Sequence, residues 1–398
     1  MPEERDGRET HAQEAHAQET RAALREEIRA LCARYPSEYW GALDRERVYP
    51  EAFVRELTDG GYLACLIPEM YGGAGLGMAE AALILEEINR SGGNAAACHA
   101  QMYTMGTLLR HGTEEQKARW LPAIADGDLR LQAFAVTEPD AGSDTSRITT
   151  FAERRGDRYV VNGRKVFISR VGHSDLMLLL ARTTSREDAE KKTDGLSAFV
   201  VDLRDAGDAI RVAPLETMIN HDTSEVVFDD LEVPVENRIG EDGRGFGYIL
   251  AGMNAERLLL ASESIGDALF FVDRCTRYAN ERVVFDRPIG RNQGVQFPIA
   301  RAYIATRAAS AMRDEAVGLY DAGEPCGAEA NMSKLLASEA AWEAANVAMD
   351  VFGGYGLATE FGIERKFREA RLYLVAPVAN NLVLSFVAQH VLGLPRSF

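Results

Sequence analysis

Hydrophobic spacing divides the chain into three stretches with different rhythms. In the first, up to about residue 130, apolar residues recur every three or four positions. Leu24, Ile28 and Leu31 fall four and three apart, a helical stripe. Tyr49 to Gly60 predicts another helix, closed by Gly60-Gly61, and Ala79 to Asn89 a third. Thr113 and Gln116 form a capping box opening a helix that runs to Trp120. Ahead of the stripe, residues 1–20 are a polar leader, expected to be disordered or a frayed helix start.

Between Leu131 and Ile239 the period shortens to two, or gives way to short apolar runs. Leu131 to Val136, Leu176 to Ala181, Leu196 to Val201 and Glu225 to Phe228 read as strands. Tyr159 to Val161, an Asn162-Gly163 pair and Lys165 to Ile168 predict a hairpin turning at Asn-Gly. Strands without intervening helices predict a small, mainly antiparallel β-domain. After Gly243, Gly245 and Gly247 the helical period returns. Long helices are expected from Phe246 to Arg282, after Pro298, and from Glu329 to Val351, with a last one from Asn380. Short connections between them suggest an antiparallel bundle. The expected class is α+β: a leader (1–20), a helical domain (21–130), a β-domain (131–240) and a C-terminal helical bundle (241–398).

Composition narrows the function. Of 398 residues, 46% are hydrophobic and 26% charged, which suits a globular protein with a substantial core. A formal net charge of −17 disfavours nucleic acid and anionic membranes as partners. Five cysteines without a CxxC, and scattered histidines without HExxH, predict neither disulfides nor a metal site. The N-terminus resembles no export or transit signal and there is no run of 18 apolar residues, so a cytoplasmic protein is expected. The glycines of YGGAGLG do not make a GxGxxG fingerprint, since the sixth position counted from Gly73 is Met78 and no βαβ unit surrounds them.

Three stretches can carry chemistry. LQAFAVTEPDAGS, ending at Ser143, runs from an apolar strand into a dense turn, where Pro139 fixes φ and Asp140 and Ser143 can bond nearby backbone. Such a turn presents N–H groups and hydroxyls to a flat polar ring or a phosphate; it is also an ordinary way to leave a strand. In the first long C-terminal helix, Glu256 lies on the stripe of Ile249, Met253, Leu260 and Leu269. A carboxylate there is a base with a raised pKa, or is paired with a neighbour such as Arg257, or reaches to water. In ERVVFDRPIGRNQGVQF, Arg282 and Gln293 offer donors on either side of one turn, suited to a pyrophosphate or amide edge; a helix-terminal Arg facing the dipole is the plainer reading.

Taken in order, TEPDAGSD, NGRKVFIS, RVVFDRPIGRNQGVQF and VFGGYG followed by IERKFREARLY resemble the acyl-CoA dehydrogenases, from about Arg21 to the C-terminus. The resemblance implies an N-terminal helical domain, a middle β-domain, a C-terminal four-helix bundle and usually a homotetramer. It implies FAD, with Phe134 to Ser143 along the flavin ring, Val136 and Thr137 near its reactive edge, and Phe167, Ile168 and Ser169 over the other face. Arg282, Phe285 and Gln293 match contacts to the FAD of a neighbouring subunit, and Gly353 and Gly354 a second FAD loop. Asp350 stands where the family often has Gln, which bears on the adenosine contacts. For acyl-CoA the implied contacts are Ser143, Asn254 and Arg257.

Many members carry the catalytic glutamate late in the chain. Here that stretch reads LYLVAPVANN, with Pro377 in its place. A minority, including isovaleryl- and long-chain-type enzymes, place the base on the long helix just before an Arg, and that position is Glu256. The reaction implied is α,β-dehydrogenation of an acyl-CoA thioester with Glu256 as base, electrons passing to an electron-transfer flavoprotein. An acyl-CoA oxidase or flavin monooxygenase on the same fold is the alternative, and a non-catalytic flavin protein a third. Acyl length and branching depend on a cavity between helices, which no motif encodes.

Overall fold

In the computed structural model the described residues are 3–396, with side chains from residue 18. Six helices come first: α1 (Glu3–Cys32), α2 (Ser37–Glu46), α3 (Glu51–Asp59), α4 (Met78–Arg90), α5 (Ala96–His111) and α6 (Glu114–Ala125). The backbone of the polar leader is helical from Glu3, continuous with α1. At the start of α6 the Thr113 hydroxyl accepts from Gln116 N, and the Gln116 side chain accepts from Thr113 N, as the capping box predicts.

Eight strands follow: β1 (Leu131–Ala135), β2 (Phe151–Arg155), β3 (Arg158–Ser169), β4 (Leu176–Arg182), β5 (Leu196–Asp202), β6 (Ile210–Pro214), β7 (Thr223–Pro234) and β8 (Arg238–Ile239). They form one sheet ordered β6-β7-β3-β2-β4-β5-β8, with β1 beside β4. Pairing is mainly antiparallel; β1 with β4 and β2 with β4 run parallel. The turn expected at Asn162-Gly163 is not a turn. β3 runs straight through both residues, and the β2–β3 hairpin turns instead between Arg155 and Arg158, where Gly156 supplies a φ of +67°. The pair marks a bulge against β7: the register shifts between Val161 and Gly163, and the Asn162 side chain bridges both ways to Asp230 at 2.8 Å. Gly163 is needed there because a Cβ would sit 2.4 Å from the Thr150 hydroxyl.

The C-terminal part holds α7 (Gly245–Glu281), a small hairpin of β9 (Val283–Val284) and β10 (Arg287–Pro288), α8 (Gln293–Asp321), α9 (Gly327–Phe352), α10 (Ile363–Ala370) and α11 (Asn380–Phe386). The three long helices pack together, with the short α10 and α11 against α9, giving the expected C-terminal helical domain. α8 begins at Gln293, before Pro298 rather than after it; in its second turn the proline forfeits a single backbone bond. α7 ties the halves together. It packs on α8 and α9, on α4 and α5, and on β5. From Ala255 to Val272 every α7 residue but Arg257 is buried.

Candidate active site

Glu256 is 8% exposed, and its chain neighbours Ala255 and Leu258 belong to the core shared by α4, α5 and α7. Because α7 is apolar on almost every side here, the helical stripe alone does not single this residue out. Its lack of a partner does. Among the described residues, the other buried carboxylates each have a cation or imidazole: Glu86 has Arg313, Glu87 has Arg25 and Arg29, Glu138 has Lys165, Glu263 has His99, Asp267 has Lys366 and Glu369 has Arg365. Glu256 has no such bond, since Arg257 turns its guanidinium to Asn254 Oδ1 at 2.9 Å. Burial pushes the Glu256 carboxyl up to about 7, the charges of His99 and Arg257 offsetting only part of that. Arg257 Nε is buried with no acceptor, an orphan donor one residue from the carboxylate.

The strand end predicted to meet a ligand lies close by. Phe134 on β1 meets Tyr103 of α5 edge-to-face, ring centres 5.3 Å apart, and the Tyr103 hydroxyl is within electrostatic reach of Glu256. After β1 the turn is held from beneath by a buried ion pair that sequence spacing gave no reason to expect. Lys165 Nζ donates to Val136 O at 2.9 Å and to Glu138 Oε1 at 3.0 Å. Glu138 also accepts from Thr149 N, Thr149 Oγ1 and Thr150 N. Burial works to raise the Glu138 carboxyl, but Lys165 and these donors prevail and hold it at about 2. Lys165 is brought down to about 8 by burial, with Glu138 offsetting part of it. The pair fixes Val136 and Thr137 while leaving Ser143 exposed on the turn.

Thr137 O accepts from Val166 N at 2.9 Å, so the turn stands edge-on to the end of β3. There Phe167 is 65% exposed and has a φ of +60°, an uncommon conformation for a bulky residue. Ile168 packs into the sheet core, which leaves only its backbone for a ligand, and the Ser169 hydroxyl lies 3.4 Å from that of Thr223. An exposed aromatic plate, a pinned strand end with a hydroxyl at Thr137, and open space above Gly142 fit the flat ring of a flavin.

Arg282, Phe285, Gln293, Asp350, Gly353 and Gly354 are all exposed, on the C-terminal end of α7, the β9–β10 hairpin, the start of α8 and the end of α9. Arg282 ends α7, 26 residues beyond Glu256, or about 39 Å along the helix axis. Its guanidinium lies over the Tyr355 ring at 5.7 Å, joining the β9–β10 hairpin to the Gly353-Gly354 segment. Phe285 at the hairpin tip is 93% exposed and left-handed, with φ of +51°. A Cβ on Gly353 or Gly354 would meet nothing within 4 Å, leaving backbone open to a ligand. On one chain this cluster is separate from the Glu256 cluster.

Sequence reading missed Tyr103, His99, Glu263 and Lys165. The first two sit on α5 and Glu263 on α7, and no local motif links them. The detectable signal was only that polar residues interrupt two otherwise apolar helices.

Three family models match in order: "Acyl-CoA dehydrogenase, N-terminal domain" over residues 18–128, "middle domain" over 133–231 and "C-terminal domain" over 243–392. Acyl-CoA dehydrogenase fadE12 of Mycobacterium bovis is 36% identical over 95% of this chain and 97% of its own. A solved glutaryl-coenzyme A dehydrogenase complex superposes with a TM-score of 0.88 at 30% identity, covering 95% of this chain and 96% of the other. A chain from a structure of the electron transferring flavoprotein of Acidaminococcus fermentans also reaches 0.88, at 28% identity, covering 94% and 97%. The chain therefore belongs to the acyl-CoA dehydrogenases, FAD-dependent oxidoreductases acting on the CH–CH bond of acyl-CoA thioesters.

Proposed function

We propose that this protein dehydrogenates an acyl-CoA thioester between its α and β carbons, with Glu256 as the base. The observation that carries the assignment is the unpartnered, buried carboxylate on α7, with a pKa of about 7. The α-proton passes to a Glu256 oxygen. Burial raises the affinity of that oxygen for the proton, and α7 holds it in one place. When bound, FAD would supply the two-electron oxidation, as the hydride acceptor for the β-hydrogen. The chain's own part would be to position it: Phe134, Val136, Thr137 and the backbone at Ile168 would line the ring and Phe167 and Ser169 would close one face, while the Lys165–Glu138 pair holds the turn. Exclusion of water by Tyr103 and the α5–α7 core strengthens the electrostatics around the thioester. Ser143, Asn254 and Arg257 are assigned to acyl-CoA, Arg257 through its free Nε donor.

Arg282, Phe285, Gln293, Asp350, Gly353 and Gly354 are assigned to FAD bound chiefly by a neighbouring subunit. Their distance from Glu256 along α7, and the exposed apolar surface of Phe285, Phe297, Ile304 and Leu357, support a homotetramer. The segments 21–130, 131–240 and 241–398 are read as domains from the change of elements at their edges. The likeness to a chain solved in work on an electron transferring flavoprotein supports such a flavoprotein as acceptor. Among the described residues no helix is long and apolar enough to cross a membrane, which together with the acidic composition supports a cytoplasmic place. The test is anaerobic addition of acyl-CoA to the yellow holoprotein. Bleaching of the flavin band with release of the enoyl thioester is expected. A flavin that no acyl-CoA reduces refutes the assignment, and rapid reoxidation by oxygen with peroxide release moves the enzyme to the oxidases.

A further inference from the structure

Among the described residues, the buried carboxylates Glu86, Glu87, Glu138, Asp267 and Glu369 face arginine or lysine. Glu263 faces a histidine instead. His99 is 7% exposed, and its Nδ1 is 3.1 Å from Glu263 Oε1. The other ring nitrogen, Nε2, is buried and has no partner. A histidine that only fills a core bonds through both nitrogens or turns one to water. His99 does neither, so one position on its ring is open to a proton.

Helix register brings this pair to the base. Arg110 Nη1 of α5 donates to Ala251 O of α7 at 3.4 Å, and a Cβ on Gly252 would lie 3.2 Å from Thr107 Oγ1. One turn back along α5, Tyr103 feels Glu256 first among the charges around it. One more turn back, His99 bonds Glu263, so the two helices run past each other in opposite directions. Glu263 follows Glu256 by seven residues, on the same face of α7 and about 10 Å further along. The His99 ring therefore stands between the two carboxylates. It is bonded to Glu263, with the Tyr103 ring 5.0 Å away next to it on the Glu256 side. Of the charges acting on Glu256, that of His99 is the largest and that of Arg257 the next. The remaining titratable neighbours are a second cation and neutral groups. Arg170, after β3, is within electrostatic reach of Glu263. Burial, aided by Arg170, holds His221 neutral, and burial keeps the Cys98 thiol and the Tyr103 and Tyr373 hydroxyls protonated.

We propose that His99, oriented by Glu263, is a positioning residue for proton abstraction: with Nε2 protonated it places a positive charge beside Glu256 and keeps the base in its carboxylate form. The proposal rests on Glu256 as the base. Burial alone would make Glu256 a strong base that is mostly protonated, and a protonated carboxyl takes no proton from a substrate. A cation on the next turn makes more of it available. Once Glu256 holds the α-proton, Glu263 still neutralises His99, so turnover leaves no bare cation in the core.

The test reads kcat/KM of the holoenzyme against pH. The substrate is whichever of butyryl-, hexanoyl-, octanoyl-, isobutyryl- and isovaleryl-CoA reduces the wild-type flavin fastest. His99→Gln should move the midpoint of the rise upward by at least about half a pH unit, lowering kcat/KM about 3-fold at pH 6 while the alkaline plateau changes less. Glu263→Gln, which removes the counter-ion, should move the midpoint the same way. His99→Lys, which returns a cation to Glu263, should bring it back toward the wild-type value. A midpoint that stays put or falls in His99→Gln overturns the proposal, as does a His99→Lys midpoint no lower than that of His99→Gln. So does an equal loss at every pH, which is what a purely structural role predicts. Where His99→Gln does not fold or hold flavin, the isosteric Glu263→Gln decides by the same criterion. Failure of the reading beneath looks different: wild type itself then shows no rise, or no thioester reduces its flavin.

Discussion

Replacing Glu256 by Gln separates a base from a structural carboxylate, because the two roles predict opposite effects on stability. Burial raises this carboxyl from 4.5 to about 7. At ~1.4 kcal/mol per unit, that difference corresponds to a penalty of about 3 kcal/mol for carrying the charge in the fold. The folded state holds the proton more tightly than the unfolded chain. The penalty is therefore absent below about pH 4.5, grows between there and pH 7, and is complete above. Gln has the same shape and no charge. The variant should melt at about the same temperature as wild type near pH 4.5 and at a higher one at pH 8.5, by up to about 3 kcal/mol in free energy. Its dehydrogenation rate should fall about 10²–10⁴-fold. Wild-type kcat/KM should rise with pH through about 7 as the carboxylate forms, and the residual rate of the variant should lack that rise. Thermal unfolding of the holoprotein at the two pH values, beside a pH–rate profile, tests both. A variant less stable than wild type at pH 8.5 would show that the carboxylate is satisfied in the fold, and near-full turnover would remove it as the base.

Three further substitutions probe the surroundings. Glu138→Gln strands the buried Lys165 ammonium and should cost about 3–5 kcal/mol of stability by chemical denaturation, whereas the double change Glu138→Leu, Lys165→Met should cost less than the single one. Since the Glu138 carboxyl is held at about 2 and the Lys165 ammonium is brought down to about 8, the pair's contribution is complete between about pH 4.5 and the Lys165 titration and fades as pH falls toward 2, which an acid-unfolding titration of wild type and the double variant would separate. Phe167→Ala should weaken FAD retention about 10-fold with the melting temperature of the stripped protein little changed, while Phe167→Trp keeps the cofactor; equal retention by all three, read from the flavin-to-protein absorbance ratio, refutes Phe167 as a ring plate. Gly163→Ala drives a Cβ onto Thr150 and should destabilise by at least about 1–3 kcal/mol, where a solvent-exposed hairpin turn would have tolerated it.

Periodicity made the α–β–α order legible because each domain presents a clean face to one core. The capping box of α6 and the end of α9 at Gly353 follow from chemistry confined to a few neighbouring residues. Asn162-Gly163 was misread because the same dipeptide serves a turn and a bulge. What decides between them is a partner strand, β7, lying more than 60 residues away in sequence. Glu256 was found from a stripe that in the fold is buried on nearly all sides, so the stripe marked an apolar helix and the family motif chose the residue. Lys165 was hidden inside a strand read for its apolar neighbours. The His99–Glu263 contact spans 164 positions, and nothing local to either residue announces it.

A base on α7 differs physically from one on the segment around Pro377. That segment lies between short helices, and its neighbour Val375 is 55% exposed, so a carboxylate there has water within reach. It can turn outward, shed its penalty and lower its pKa. Glu256 is more confined: the helix is continuous on both sides, Ala255 and Leu258 to Leu260 beside it are buried, and its backbone is committed to the helix ladder. Burial within the helix packing is the larger cause of its raised pKa. With Glu256 as the proposed base, the same helix would fix the side from which a substrate presents its α-carbon. Tyr103 of α5 lies within electrostatic reach of that carboxyl, and Phe134 of β1 packs edge-to-face on Tyr103, so two further elements define its surroundings.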